Sequence, residues 1–174
     1  SSGNVCKIGC EIDESFFHGN SKNEHYGFVG HSYLGEWVNL GAGTSNSDLK
    51  DTYGTIKYKI GKKTIDSGEQ FFGCVVGDNA KSSIGTMIYT GKKIGFAAHI
   101  HGVISEDVPS FCMWAKSLGS MPSELFFDSS LKTYSRAAER RGIVLTKDYE
   151  ELMEKIFEMT KEERKACGVS TNKF

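Results

Sequence analysis

A period of six residues constrains this chain more than any other feature it carries. Counting from Phe16 gives Phe16, Lys22, Phe28, Leu34 and Leu40, of which four are large and apolar. A second run gives Val76, Ser82, Ile88, Ile94 and Ile100, again four of five. Glycine follows the large residue in Leu34-Gly35, Leu40-Gly41, Val76-Gly77 and Ile94-Gly95. Four positions after members of the count stand small or β-branched residues: Ser32, Val38, Thr44, Ala80, Thr86 and Ala98. Helices repeat every ~3.6 residues and hairpin strands every two, so neither accounts for a six. A short strand followed by a tight corner does. Three such hexads close one triangular coil, and the coils stack at the parallel-strand spacing of about 4.8 Å. The expected fold class is all-β, a parallel β-helix.

The two runs are separated by residues 46–71. Within them Ile56-Lys57-Tyr58-Lys59-Ile60 and Lys63-Thr64-Ile65 alternate around Gly61, which predicts a hairpin leaving the coil. Its lysines Lys57, Lys59, Lys62 and Lys63 read either as a solvated face or as an anion clamp. After Ile104 the repeat stops, and an irregular strap is expected up to about residue 128. Residues 130–141 read as a helix closed by Gly142. From Thr146 a second helix carries the stripe Tyr149, Leu152, Met153, Ile156 and Phe157, and Thr160-Lys161-Glu162-Glu163 has the form of a capping box. The layout is a β-helix over 1–104 and a C-terminal α-helical extension over 105–174, packing on the β-helix or on a neighbouring subunit. Because Val5-Cys6-Lys7-Ile8-Gly9 is already coil-like, a further domain is expected upstream.

Composition removes several function classes. A formal net charge of −1 gives no general attraction to nucleic acid or to an anionic membrane. No apolar run approaches the ~20 residues of a membrane span, and the first residues lack the pattern of a secretion signal. Five scattered cysteines fit a reducing, cytoplasmic setting better than a disulfide framework. Cys6 and Cys10 have the spacing of a zinc half-site, but no second Cys or His pair answers them, so no metal is expected in this domain.

The segment Lys22-Asn23-Glu24-His25-Tyr26-Gly27-Phe28-Val29-Gly30, continued by Val38-Asn39-Leu40-Gly41-Ala42-Gly43-Thr44, resembles the acetyltransferase domain of bifunctional sugar-1-phosphate nucleotidylyltransferases. The wording around His31-Ser32-Tyr33-Leu34-Gly35-Glu36-Trp37 and the Arg-Arg-Gly tail at Arg140 extend the likeness. The resemblance implies a left-handed winding and a homotrimer that binds acetyl-CoA between neighbouring β-helices. It further implies transfer of the acetyl group to an amino sugar phosphate, and a nucleotidyltransferase domain upstream. His25 matches a histidine that takes the proton of the substrate amine, a task suited to a group with an ordinary pKa near 6.5. Asn39 matches an asparagine that contacts the sugar, and Asp48 stands where the family has another asparagine. Lys57 and Lys59 become candidates to hold the CoA phosphates.

Four positions depart from the family pattern. Asp13 replaces a lysine that holds the sugar phosphate, Phe28 replaces a tyrosine, Asp48 adds a charge, and Gly54 falls where a further lysine would be. An acid beside a phosphate dianion is unfavourable. The alternative function is therefore a non-catalytic trimerisation and regulatory module of a sugar nucleotidyltransferase. A carbonic-anhydrase-like metal site would need three convergent histidines, which the sequence does not offer.

Overall fold

The computed structural model describes residues 5–61 and 63–171, and Lys62 lies outside them. Strands β1 (Lys7–Ile8), β2 (Glu11–Asp13) and β3 (Phe16–Phe17) make the first coil. Strands β4 (Lys22–Asn23), β5 (Phe28–Gly30) and β6 (Tyr33–Leu34) make the second. The third passes through a bridge at Asn39 and β7 (Ser45–Asn46), then leaves as a hairpin of β8 (Lys57–Ile60) and β9 (Lys63–Asp66). It resumes at β10 (Cys74–Val76). Strands β11 (Lys81–Ser82), β12 (Met87–Ile88) and β13 (Lys92–Ile94) form the fourth coil. Strands β14 (His99–Ile100) and β15 (Val103–Ile104), with a bridge at Val108, form the fifth.

The coil runs on past Ile104. Strand β16 (Cys112–Trp114) pairs parallel with β14, and β17 (Ser123–Glu124) then pairs antiparallel with β16. The result is a parallel β-solenoid of about 6 turns, in agreement with the all-β helical fold expected from the hexads. No helix among the described residues is long and apolar enough to cross a membrane.

Three faces follow from the pairing. The first stacks β1, β4, Asn39, β11, β14 and β16; the second β2, β5, β7, β12 and β15; the third β3, β6, β10, β13 and Val108. One side chain per strand points into the prism. Phe17, Leu34, Val76, Ile94 and Val108 line the third face, and Leu40, Ile100 and Trp114 the first, all buried in one continuous core. Each such side chain removed from water contributes about 1.5–3 kcal/mol. The small residues Ser32, Val38, Thr44, Ala80, Thr86 and Ala98 are buried beside the corners, as their spacing indicated.

The count from Phe16 is out of phase over its first three members. Phe17 is 1% exposed and Phe16 40%; Asn23 and Val29 are buried while Lys22 and Phe28 are partly open. The cause is a step of five rather than six from Val29 to Leu34, turned by His31 in the left-handed region at φ 46°. In the first coils Glu11 pairs with Phe28 and Phe16 with Tyr33, a step of seventeen. Later Lys81 pairs with His99, the full eighteen of three hexads.

The chain after β17 folds on the corner where the third face turns into the first. Asn20, Trp37, Asn79, Ala97 and Phe111 all turn that corner at positive φ, each coil stacking on the last. Helices α1 (Phe127–Glu139) and α2 (Lys147–Met159) lay Tyr134, Ala138 and Met153 on Trp37, Ala97 and Phe111 as a second core. Thr146 caps α2 by accepting from the Tyr149 amide. The expected capping box at Thr160 does not form. Its hydroxyl instead donates to the Ile156 carbonyl at 2.8 Å and accepts from Arg164 Nη1 at 2.8 Å. Arg164, 2% exposed on α3 (Lys161–Ala166), also donates to Glu124 at 2.7 Å and lies 4.2 Å from the centre of the Phe157 ring.

Candidate functional site

The corner between the second and third faces departs from the plain repeat. There the chain turns at Glu14 (φ 35°) in the first coil and His31 (φ 46°) in the second, and leaves for the hairpin in the third. Backbone bonds bind these levels together. His31 N–H donates to the Asp13 carbonyl at 2.9 Å, Gly73 N–H to the His31 carbonyl at 2.8 Å, and Phe72 N–H to the Asp48 carbonyl at 2.8 Å. Asn46 points into the prism and fixes the strand just before the corner, its amide accepting from Gly30 N–H and donating to Gly30 O, each at 3.0 Å.

This frame brings His31 Nδ1 to 2.9 Å from Asp48 Oδ2. A side chain at Gly30 would strike Asp48 Oδ2 and the Phe28 ring, so the glycine is a condition of the approach. The imidazole stacks on Phe71, with ring centroids 5.0 Å apart, which sets its plane. The other ring nitrogen is 3.8 Å from the nearest Glu14 carboxylate oxygen, beyond hydrogen-bonding reach. The His31 side chain is 20% exposed, and it lines a concavity of about 630 Å³ with Ile12, Glu14, Phe16, Tyr33, Phe71 and Val75 among its walls. A histidine with one nitrogen bonded to a carboxylate and the other facing an open cleft is arranged to accept a proton.

The residues singled out in the sequence do not all meet here. Asp48 does, as the partner of His31. His25 occupies a different corner of the second coil, between the first and second faces, where it is exposed and no hydrogen bond among the described residues fixes its ring. Asn39 faces outward on the first face between Lys22 and Lys81. Lys57 and Lys59 are exposed on β8, opposite Asp66 and Thr64, while the intervening Tyr58 packs on Phe72. Asp13 lies directly beneath the His31 corner. Within one copy, then, His31 and Asp48 form one site and His25 and Asn39 lie elsewhere.

In the sequence His31 stands close to a corner, a place where a histidine commonly has a structural role. The pattern did contain a pointer: His31 and Asp48 are 17 residues apart, the step that stacks one early coil on the next.

No family model matches the chain. Over 106 residues it is 36% identical to the bifunctional sugar-1-phosphate nucleotidylyltransferase/acetyltransferase of Sulfurisphaera tokodaii, a match covering 59% of this chain and 26% of that protein. It is 32% identical over 85 residues to the bifunctional protein GlmU of Methanocaldococcus jannaschii, covering 49% of this chain and 21% of the relative. The GlmU of Methanococcus vannielii is 33% identical over the same length, with 20% of it covered. The chain thus spans about a quarter or less of the length of these curated relatives.

Proposed function

We propose that this chain is an acyltransferase module that moves an acetyl group from acetyl-CoA to the amine of an amino sugar phosphate, working as a cytoplasmic homotrimer. Similarity to proteins whose names join a sugar-1-phosphate nucleotidylyltransferase to an acetyltransferase supports the reaction class. The observation that carries the reading is the His31–Asp48 pair at the cleft.

With Nδ1–H donated to Asp48, Nε2 of neutral His31 carries the free lone pair. It takes a proton from the substrate ammonium-derived amine as the amine nitrogen attacks the thioester carbonyl. The C–N bond forms, the C–S bond breaks, and the imidazolium returns its proton to the departing CoA thiolate. Asp48 holds the ring and stabilises the imidazolium, as an orienting carboxylate does in nucleophile–base pairs generally. His25 and Asn39 lie on a different side of the prism and take no part in this step.

The second reading, a trimeric scaffold without catalysis, is favoured by Asp13. An acid beneath the corner, together with Glu14 and Asp48, opposes a phosphate dianion there. Acetyl transfer to glucosamine-1-phosphate or galactosamine-1-phosphate separates the two. The His31→Gln variant is expected to lose about 10²- to 10⁴-fold of the wild-type rate, the usual contribution of a positioned general base, with its melting temperature kept. His25→Ala assayed in parallel should stay near wild type. Collapse in His25→Ala with His31→Gln still active would move the base to His25, and a wild-type protein inert toward both sugars would leave the scaffold.

A further inference from the structure

A second concavity, of about 370 Å³, lies on the outward side of the first face, away from the His31 corner. Its floor is the ladder of the parallel sheet, where Lys7 pairs with Lys22, Lys22 with Asn39, and Asn39 with Lys81. Parallel pairing places such side chains one above another at about 4.8 Å. Its wall is the C-terminal end of α1, which adds Arg140 and Arg141. None of the described residues lining the groove is acidic, in a chain whose net charge is −1.

The cations are not simply spread on a wet surface. Lys81 is largely buried, and burial alone pushes its ammonium down to about 8; it donates to the Asn79 carbonyl, 3.2 Å away. Arg141 is held rigid by Nη1, which donates to the Val5 carbonyl at 2.9 Å and to Asn20 Oδ1 at 3.0 Å, and by the Trp37 ring beneath it. Its Nη2 is buried without an acceptor among the described residues. Among the described residues only Glu24 pairs with any of these lysines, 3.3 Å from Lys22 and 3.7 Å from Lys7. A desolvated, unpaired cation beside a half-paired column is costly unless an anion completes it.

We infer that this groove binds a phosphate-bearing small molecule, with Lys22 and Lys81 on the phosphate and Asn39 on a neighbouring hydroxyl or amide of the ligand. Lysines act as point charges suited to a phosphate, and the volume fits a ligand of sugar-phosphate or nucleotide size. The groove does not depend on His31, so it stands or falls apart from the acyl-transfer reading.

Titration calorimetry on the whole chain tests it, with inorganic pyrophosphate, glucose 1-phosphate and adenosine 3′,5′-bisphosphate as probes. At least one should bind, more weakly as salt rises, and Lys22→Gln/Lys81→Gln should weaken it by about tenfold or more. Arg140→Gln, at an exposed position that cannot unfold the sheet, should weaken it as well, and Lys155→Gln, exposed on α2 outside the groove, should not. Preference for glucose 1-phosphate would identify a sugar phosphate as the occupant, and preference for the bisphosphate the nucleotide end of CoA. Equal affinity in wild type and Lys22→Gln/Lys81→Gln, or no binding of any probe, overturns the inference.

Discussion

The five histidines show how differently one side chain is used according to what surrounds it. His18 Nε2 is bonded to the Tyr33 hydroxyl, His25 stands in solvent, and His101 Nε2 is buried without a partner among the described residues. His31 alone has a carboxylate on one nitrogen and a cleft by the other. His99 has a consequence for stability. Burial first, then the charges of Lys81 and His101, push its pKa down from the ordinary 6.5 to about 4. The folded protein therefore keeps His99 neutral where the unfolded chain would protonate it. The stability this represents is complete above about pH 6.5 and drains away as pH falls toward 4. Because the ring is only partly enclosed, the loss should be about 1–2 kcal/mol rather than the full 1.36 kcal/mol per unit. Urea melts of wild type and His99→Gln from neutral to mildly acid pH measure it. The variant should flatten over that window, and parallel curves would refute the assignment. The acid pairing of His31, by contrast, was hidden from a residue-by-residue reading. Nothing in the local wording around either partner announces it; only counting one coil forward from His31 reaches Asp48.

Elements carry the period, and here the sequence was legible to within one residue. The count of six gave the solenoid, the buried small residues and the glycine corners, because a coil has room for one large inward side chain per strand. It failed in phase, since a step of five rather than six from Val29 to Leu34 shifts the three members of the count before it. Ser15 before Phe17 and Ser21 before Asn23 repeat the spacing of Ser32 before Leu34, and following the small residue would have placed the slip. Phe17→Ala should cost about 3–5 kcal/mol in denaturant unfolding, the usual price of emptying a filled core site, and Phe16→Ala less than about 1 kcal/mol. Equal losses would contradict the inward assignment of Phe17. The C-terminal helices were visible in their apolar stripe, but not their anchor. Arg164 reads as one more charge on a polar helix, and only the fold shows it buried between Glu124 and Phe157.

At the scale of the whole molecule, the flanks of the solenoid are more apolar than an isolated coil needs. Tyr26 and Ile84 at the first corner are 75% and 78% exposed, and Met87 and Tyr89 on the second face 58% and 54%. Side-by-side association would bury them, and a triangular section suits a threefold ring. Sedimentation equilibrium is expected to give about three times the 19.2 kDa chain mass, and Tyr26→Glu/Ile84→Glu to release the single chain. A wild-type monomer at micromolar concentration would remove this assembly. The direction of association is also set by β17. A parallel stack that simply stopped would present the last strand as a template with a full row of open N–H and C=O groups. Here β17 runs backwards along β16, Glu124 N–H donates to the Ser170 carbonyl at 2.8 Å, and Arg164 is locked to Glu124 behind it. On the first face a second copy therefore finds no open parallel strand to extend at that end. Flank-to-flank contact can therefore close into a ring, while along the first face end-on growth into a fibre is stopped by the reversed strand.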